Sequence, residues 1–142
     1  MAHQTIVVLD FGSQFTQLIA RRLRELSVYC EILPYNTPLA TLRAKQPVGL
    51  ILSGGPSSVD EEGAPHIAPE VLKLGVPTLG VCYGMQLMCH LLGGTVSRGQ
   101  KREYGRAALQ VLDHTGLFRG LPSPLACWMS HGDSVDSLPA GF

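Results

Sequence analysis

The chain has 142 residues, of which 45% are hydrophobic and 15% charged, and its formal net charge is zero. These values predict one globular domain and argue against nucleic acid as the main partner. The four cysteines form no C-x-x-C pair, so we expect no metal site. The sequence shows no secretory signal, so we expect a cytoplasmic protein with free thiols. It also has no apolar run that could cross a bilayer, so we expect no membrane contact.

The first half of the chain alternates between strand and helix patterns. Residues 5–9 are β-branched and apolar and predict a buried strand, after which Ser13 is placed to cap a helix with apolar residues at helical spacing as far as Leu26. Residues 28–33 predict a second strand, and residues 38–45 a short helix whose first turn suits Pro38.

The alternation continues to Gly94. Residues 48–52 predict a third strand, which ends in a glycine turn at residues 53–56, and residues 57–65 predict a loop. A helix is expected at residues 67–74, a fourth strand at 76–81, and a helix at 83–92 that Gly93 and Gly94 end.

This order predicts an α/β fold: an open, mostly parallel sheet, flavodoxin-like, with helices on both faces. Three loops should then meet at the carboxyl edge of the sheet, at residues 10–13, 53–56 and 82–84. Strand patterns at 95–97, 107–111 and 125–129 lack long helices between them and predict an antiparallel C-terminal part.

Cys82 lies between Gly80 and Gly84, at the junction of the fourth strand and its helix. This G-x-nucleophile-x-G pattern is typical of a sharp turn that lifts a reactive side chain out of the sheet. The free N–H groups of the following helix should favour the thiolate and hold a developing oxyanion. The alternative is a structural cysteine in a non-catalytic, ligand-binding fragment.

The glycine turn at residues 53–56 predicts an anion-binding nest, which with the Tyr83 N–H would complete an oxyanion hole. Alternatives are an ordinary turn, or a pyrophosphate loop of the ATP-pyrophosphatase type at residues 53–58. Among the five histidines, chemistry alone favours His131 as the base for Cys82. Gln86, one helical turn after Cys82, faces either the substrate or solvent.

Four segments together resemble the class I, or triad, glutamine amidotransferases. They are residues 9–22, 51–59, 80–86 and 128–133, and the resemblance covers nearly the whole chain. It implies that Cys82 attacks the side-chain amide of glutamine to form a thioester, and that the N–H groups of Gly55 and Tyr83 hold the oxyanion. It also implies a glutamine pocket without metal or cofactor, formed by Gly54, Gln86, Ser130, His131, Gly132 and Asp133.

Residues 9–22 most resemble one branch of this family. In that branch, ammonia passes to an ATP-pyrophosphatase domain or subunit that aminates a purine nucleotide, so ATP and Mg²⁺ are expected only in that part. An anthranilate synthase-type subunit is the alternative within the family. The family's base and its carboxylate lie in a Phe-His-Pro-Glu segment that these 142 residues do not contain. The resemblance therefore implies that His131 is not the base. It also implies one amidotransferase domain over residues 1–142 that is incomplete at its C-terminus and weakly active.

Overall fold

The computed structural model describes residues 3–142, apart from the side chains of residues 99–103 and 131. Four parallel strands form a sheet in the order β2-β1-β3-β4, namely β1 (Thr5–Asp10), β2 (Tyr29–Pro34), β3 (Gly49–Leu52) and β4 (Thr78–Gly80). Its helices are α1 (Thr16–Glu25), α2 (Leu39–Ala44) and α3 (Tyr83–Leu91). A second, antiparallel sheet pairs β5 (Thr95–Leu109) with β6 (Leu125–Ser137).

One face of the parallel sheet carries the main core. In β1 and β3, Val7 pairs with Leu50 and Leu9 with Leu52, and all four side chains are buried. Leu42 of α2 and Leu87 of α3, both fully buried, belong to the same cluster. These strands are apolar along their length because helices cover the sheet on both sides.

The opposite face packs against α1. Val8, which alternates with Val7 and Leu9 along β1, is fully buried, as is Ala20 of α1. The Cys30 thiol of β2 donates to the Ala20 carbonyl at 3.6 Å. Helices therefore lie on both faces, and the predicted α/β architecture is confirmed. Among the described helices, none combines the length and apolarity needed to cross a membrane.

Two predicted elements differ in the structure. The helix expected at residues 67–74 is a 3₁₀ helix of five residues, Pro69–Lys73, in which only Val71 is buried. Three short C-terminal strands were expected where the structure has two long ones. The polar stretch at residues 98–106 continues β5. Arg98 pairs with Asp133, and after a register shift the pairing runs from Glu103↔His131 to Leu109↔Leu125. Backbone pairing of polar residues leaves no apolar pattern in a sequence.

The start of α1 also differs from the prediction. The helix begins at Thr16, and no side chain caps its first turn. The Ser13 hydroxyl instead accepts the Phe15 N–H at 2.9 Å, which forms a local turn before the helix. The loop of residues 10–13 is therefore longer than expected at the carboxyl end of β1.

Helix α3 packs directly on β3 at Gly84. The Gly84 N–H donates to the Ser53 carbonyl at 3.0 Å. A Cβ at Gly84 would collide with the carbonyl oxygen and Cβ of Leu52. The absence of a side chain at this position is thus what brings the start of α3 against the end of β3.

We expect Gly84→Ala to lower the free energy of unfolding by about 1–3 kcal/mol, because the added methyl must push α3 away from β3. Helix propensity alone would give a gain of about 1 kcal/mol, so the sign separates the two effects. Urea unfolding monitored by circular dichroism measures the change. Gln17→Ala, at an exposed position of α1, is the control and should stay within about 0.5 kcal/mol of wild type. A stabilised Gly84→Ala protein would contradict the packing argument.

Candidate active site

Cys82 occupies a strained turn between β4 and α3. Its φ of 51° and ψ of −114° lie in a region that residues with side chains rarely adopt. Gly80 makes room for the turn, because a Cβ there would lie 2.7 Å from the backbone nitrogen of Met85. The turn predicted from the G-x-nucleophile-x-G pattern is therefore present.

The three loops expected at the carboxyl edge do meet. Ser53 joins them, since its hydroxyl accepts the Phe11 N–H at 3.0 Å and its carbonyl accepts the Gly84 N–H at 3.0 Å. A Cβ at Gly54 would lie 3.3 Å from the Cβ of Cys82, so the glycine turn runs directly beside the cysteine.

Two backbone donors lie beside Cys82 in one cleft. The cleft has a volume of about 500 Å³, and Gly55, Cys82 and Tyr83 all line it. Within the described part of the chain, neither the Gly55 N–H nor the Tyr83 N–H has an acceptor. The Gly55 backbone is held in place by Phe11, because a Cβ at Gly55 would lie 2.5 Å from the Phe11 carbonyl oxygen. This arrangement can hold an oxyanion formed next to the sulfur.

The other predicted pocket residues fall in or beside the same cleft. Gln86, Ser130, Gly132 and Asp133 line it, whereas Gly54 lies under Cys82. The side chain of His131 lies outside the described residues. Pro56, Ser57 and Ser58 also line the cleft, and they belong to the segment at residues 51–59 that resembles the family. Sequence reasoning did not assign three further lining residues to this site, Glu61, Arg98 and Tyr104, which lie outside the four segments that carry the resemblance.

Gln86 links α3 to the antiparallel sheet. Its side chain is 3% exposed, and its Nε2 donates to the Asp133 carbonyl at 3.1 Å. The solvent-facing alternative for this residue is wrong. The amide holds the segment at residues 130–133 against the helix that begins at the cysteine, and so shapes one wall of the cleft.

The Tyr83 side chain anchors the loop on the opposite wall. Its hydroxyl donates to the Pro65 carbonyl at 2.5 Å, and its ring centroid lies 5.5 Å from that of Phe11. Burial, helped by the charges of Glu61 and Tyr35, raises the pKa of Tyr83 to about 12. The hydroxyl therefore stays a donor throughout the neutral range and fixes residues 57–65 to the turn.

The ionisation of Cys82 differs from the sequence expectation. Burial raises the pKa of the Cys82 thiol above its ordinary value, although the helix N-terminus was expected to favour the thiolate. None of the described side chains forms a hydrogen bond with its sulfur. His66 and His90 interact with each other, with ring centroids 5.9 Å apart. Among the described side chains, no histidine is hydrogen-bonded to the Cys82 sulfur.

Comparison with known proteins gives the family context of this site. Residues 7–142 match the family model for glutamine amidotransferase class-I. The GMP synthase [glutamine-hydrolyzing] of Carboxydothermus hydrogenoformans is 57% identical over 137 residues, which cover 96% of this chain and 27% of that protein. That of Heliobacterium modesticaldum is 54% identical over 140 residues, or 99% of this chain and 27% of that protein. The chain spans about a quarter of the length of these curated relatives.

Solved structures show the same fold. The crystal structure of a putative GMP synthase subunit from Thermoplasma acidophilum matches with a TM-score of 0.83 and 31% identity, covering 99% of this chain and 70% of that one. A glutamine amidotransferase from Methylobacillus flagellatus matches with a TM-score of 0.64 and 22% identity, over 98% of this chain and 58% of that one. The second likeness concerns the fold alone.

We expect alkylation of Cys82 by iodoacetamide to reach its half-maximal rate at a higher pH than alkylation of an unstructured cysteine peptide. Burial disfavours the thiolate, so at a given pH the ionised fraction is smaller and the reaction slower. Peptide-resolved mass spectrometry over a pH series separates Cys82 from the other three cysteines. A midpoint at or below that of the peptide would mean that the helix N-terminus outweighs burial.

We expect Gln86→Leu to loosen the segment at residues 130–133. The leucine keeps most of the volume but cannot donate to the Asp133 carbonyl, which costs about 1–2 kcal/mol locally. Hydrogen exchange of the backbone amides in this segment should become about tenfold faster. Met85→Leu, at an exposed neighbouring position, should leave the exchange unchanged. Equal exchange in the two variants would show that the Gln86 link carries no energy.

Proposed function

The chain belongs to the class I glutamine amidotransferase family, and on that premise we propose that Cys82 cleaves the side-chain amide of glutamine and releases ammonia. The observation that carries this proposal is the placement of Cys82 on a strained turn, in one cleft with the N–H groups of Gly55 and Tyr83. These are the nucleophile and the pair of donors that acyl transfer requires.

The reaction would proceed through a thioester. The Cys82 thiolate attacks the amide carbon, and the carbonyl oxygen becomes an oxyanion that accepts hydrogen bonds from the Gly55 and Tyr83 N–H groups. The carbon–nitrogen bond then breaks, and the nitrogen takes up a proton and leaves as ammonia. Water cleaves the remaining thioester, which gives glutamate and restores the thiol. Each oxyanion donor contributes about 10²–10³ in rate in comparable sites.

Ionisation of the thiol limits the rate in this chain. Burial raises the pKa of Cys82, so little thiolate is present at neutral pH. Loss of the base that takes the thiol proton costs several orders of magnitude in comparable sites, so the proposed reaction requires such a base at Cys82.

Residues on both sheets would form the glutamine pocket. Gly54 from the turn after β3 and Gln86 from α3 would shape one side of it, and Ser130, His131, Gly132 and Asp133 of β6 the other. Gln86 supports this part of the proposal by its hydrogen bond to the Asp133 carbonyl, which keeps the β6 segment beside Cys82.

The released ammonia would serve a synthetase. Relatives named GMP synthase [glutamine-hydrolyzing] are 52–57% identical to this chain and favour that partner over the anthranilate synthase type. The ammonia would pass to an ATP-pyrophosphatase domain or subunit that converts XMP to GMP, and ATP and Mg²⁺ would bind there. We place the protein in the cytoplasm, which is consistent with its four unpaired cysteines.

A chloromethyl ketone analogue of glutamine, in which CH₂Cl replaces the amide NH₂, tests the proposal. The Cys82 sulfur should displace chloride and become labelled at least about tenfold faster than Cys30, Cys89 or Cys127, because only Cys82 lies in the pocket that binds the analogue. Peptide mapping measures the labelling, and excess L-glutamine should slow it at Cys82 alone. Equal labelling of all four cysteines, or no protection by L-glutamine, would refute the proposal.

A further inference from the structure

The mouth of the cleft carries charges that the reaction above does not use. Arg98 of β5 lines the cleft together with Asp133 of β6. The two residues are directly opposite each other in the antiparallel register. Opposite residues in such a pair share one face of the sheet, with Cβ atoms about 4.5–5.5 Å apart. A positive and a negative side chain are therefore neighbours on the wall that faces the substrate.

This pairing matches the charged end of an amino acid. Free glutamine carries a carboxylate and an ammonium on one carbon, so its receptor needs opposite charges side by side. Cys82 is half-buried and Arg98 is exposed, so the amide would lie deep in the cleft and the charged end at its mouth. Asp133 suits the ammonium, and a planar guanidinium suits the carboxylate because it can donate two parallel hydrogen bonds.

Arg98 is available for this role. Within the described part of the chain, it forms no ion pair with a carboxylate. Arg106, on the same strand, offers a contrast. It is also exposed, but it lies opposite Trp128 and does not line the cleft.

We propose that Arg98 binds the α-carboxylate of the substrate and so selects free glutamine over amides that lack this group, including glutamine whose carboxylate is blocked in a peptide bond. The inference rests on the proposed function, since it assigns a second contact to the same substrate in the same cleft.

The test pairs a change in the ligand with a change in the protein. The chloromethyl ketone analogue of glutamine is compared with its α-methyl ester, in which the carboxylate has no charge, at one slightly acidic pH that keeps the ammonium protonated in both compounds. Wild type should label Cys82 about tenfold faster with the acid than with the ester. Arg98→Gln should remove this preference by slowing the acid alone, because the two changes delete the same contact. Arg106→Gln should keep the wild-type preference.

The outcomes separate the two proposals. Chloroacetone, a chloromethyl ketone without an amino-acid group, reports the reactivity of the thiol itself. If wild type reacts with the acid no faster than with chloroacetone, both proposals fail. If wild type reacts with the acid faster than with chloroacetone, but reacts with the ester as fast as with the acid, the role of Arg98 alone is refuted. The same holds if Arg98→Gln keeps the wild-type preference for the acid over the ester. Should Arg98→Gln fold poorly, Arg98→Met, which keeps the apolar stem, replaces it with the same expected loss.

Discussion

The positive φ of Cys82 is the constraint on which the rest of the site depends. A side chain in this conformation is strained and persists only where neighbouring contacts determine the backbone on both sides. Here β3 provides them, because the Leu52 carbonyl accepts the Val81 N–H at 2.9 Å and the Ser53 carbonyl accepts the Gly84 N–H at 3.0 Å. Hydrogen bonds from Val81 and Gly84, on either side of Cys82, to the end of β3 and to the residue after it thus fix the backbone of the cysteine.

The same turn sets two electrostatic effects against each other. It brings backbone donors to the place where negative charge would form, and it half-buries the sulfur, which raises the pKa of the thiol. Donors of this kind act on the oxyanion of the intermediate rather than on the resting thiol. The fold therefore places backbone donors where the proposed reaction would form negative charge, while burial disfavours the thiolate of Cys82.

The sequence predicts those parts of the structure whose interactions leave a pattern of apolar residues or glycines along the chain. Strands β1 and β3 are buried on both faces, so their apolar runs were visible, and parallel topology then brought Ser53 and Cys82 to one edge. The wall formed by β5 and β6 left no such pattern, because backbone hydrogen bonds between polar residues build it. Arg98 therefore belonged to none of the segments that pointed to a site. The φ of Cys82 could be inferred as a sharp turn, but the effect of burial on its thiol could not.

The two sheets divide the work of the site. Cys82, Gly55 and Tyr83 lie on short, tightly packed turns at the edge of the parallel sheet, where small displacements would cost the proposed reaction most. The antiparallel sheet carries charged and polar side chains at a rim that can change without disturbing the turn. Gln86 and Cys89, one helical turn apart on α3, join them, since Gln86 donates to the Asp133 carbonyl and the Cys89 thiol to the Ser137 carbonyl at 3.3 Å. Because both links start from the helix that begins at Cys82, α3 connects the turn of the cysteine directly to β6, which carries Asp133.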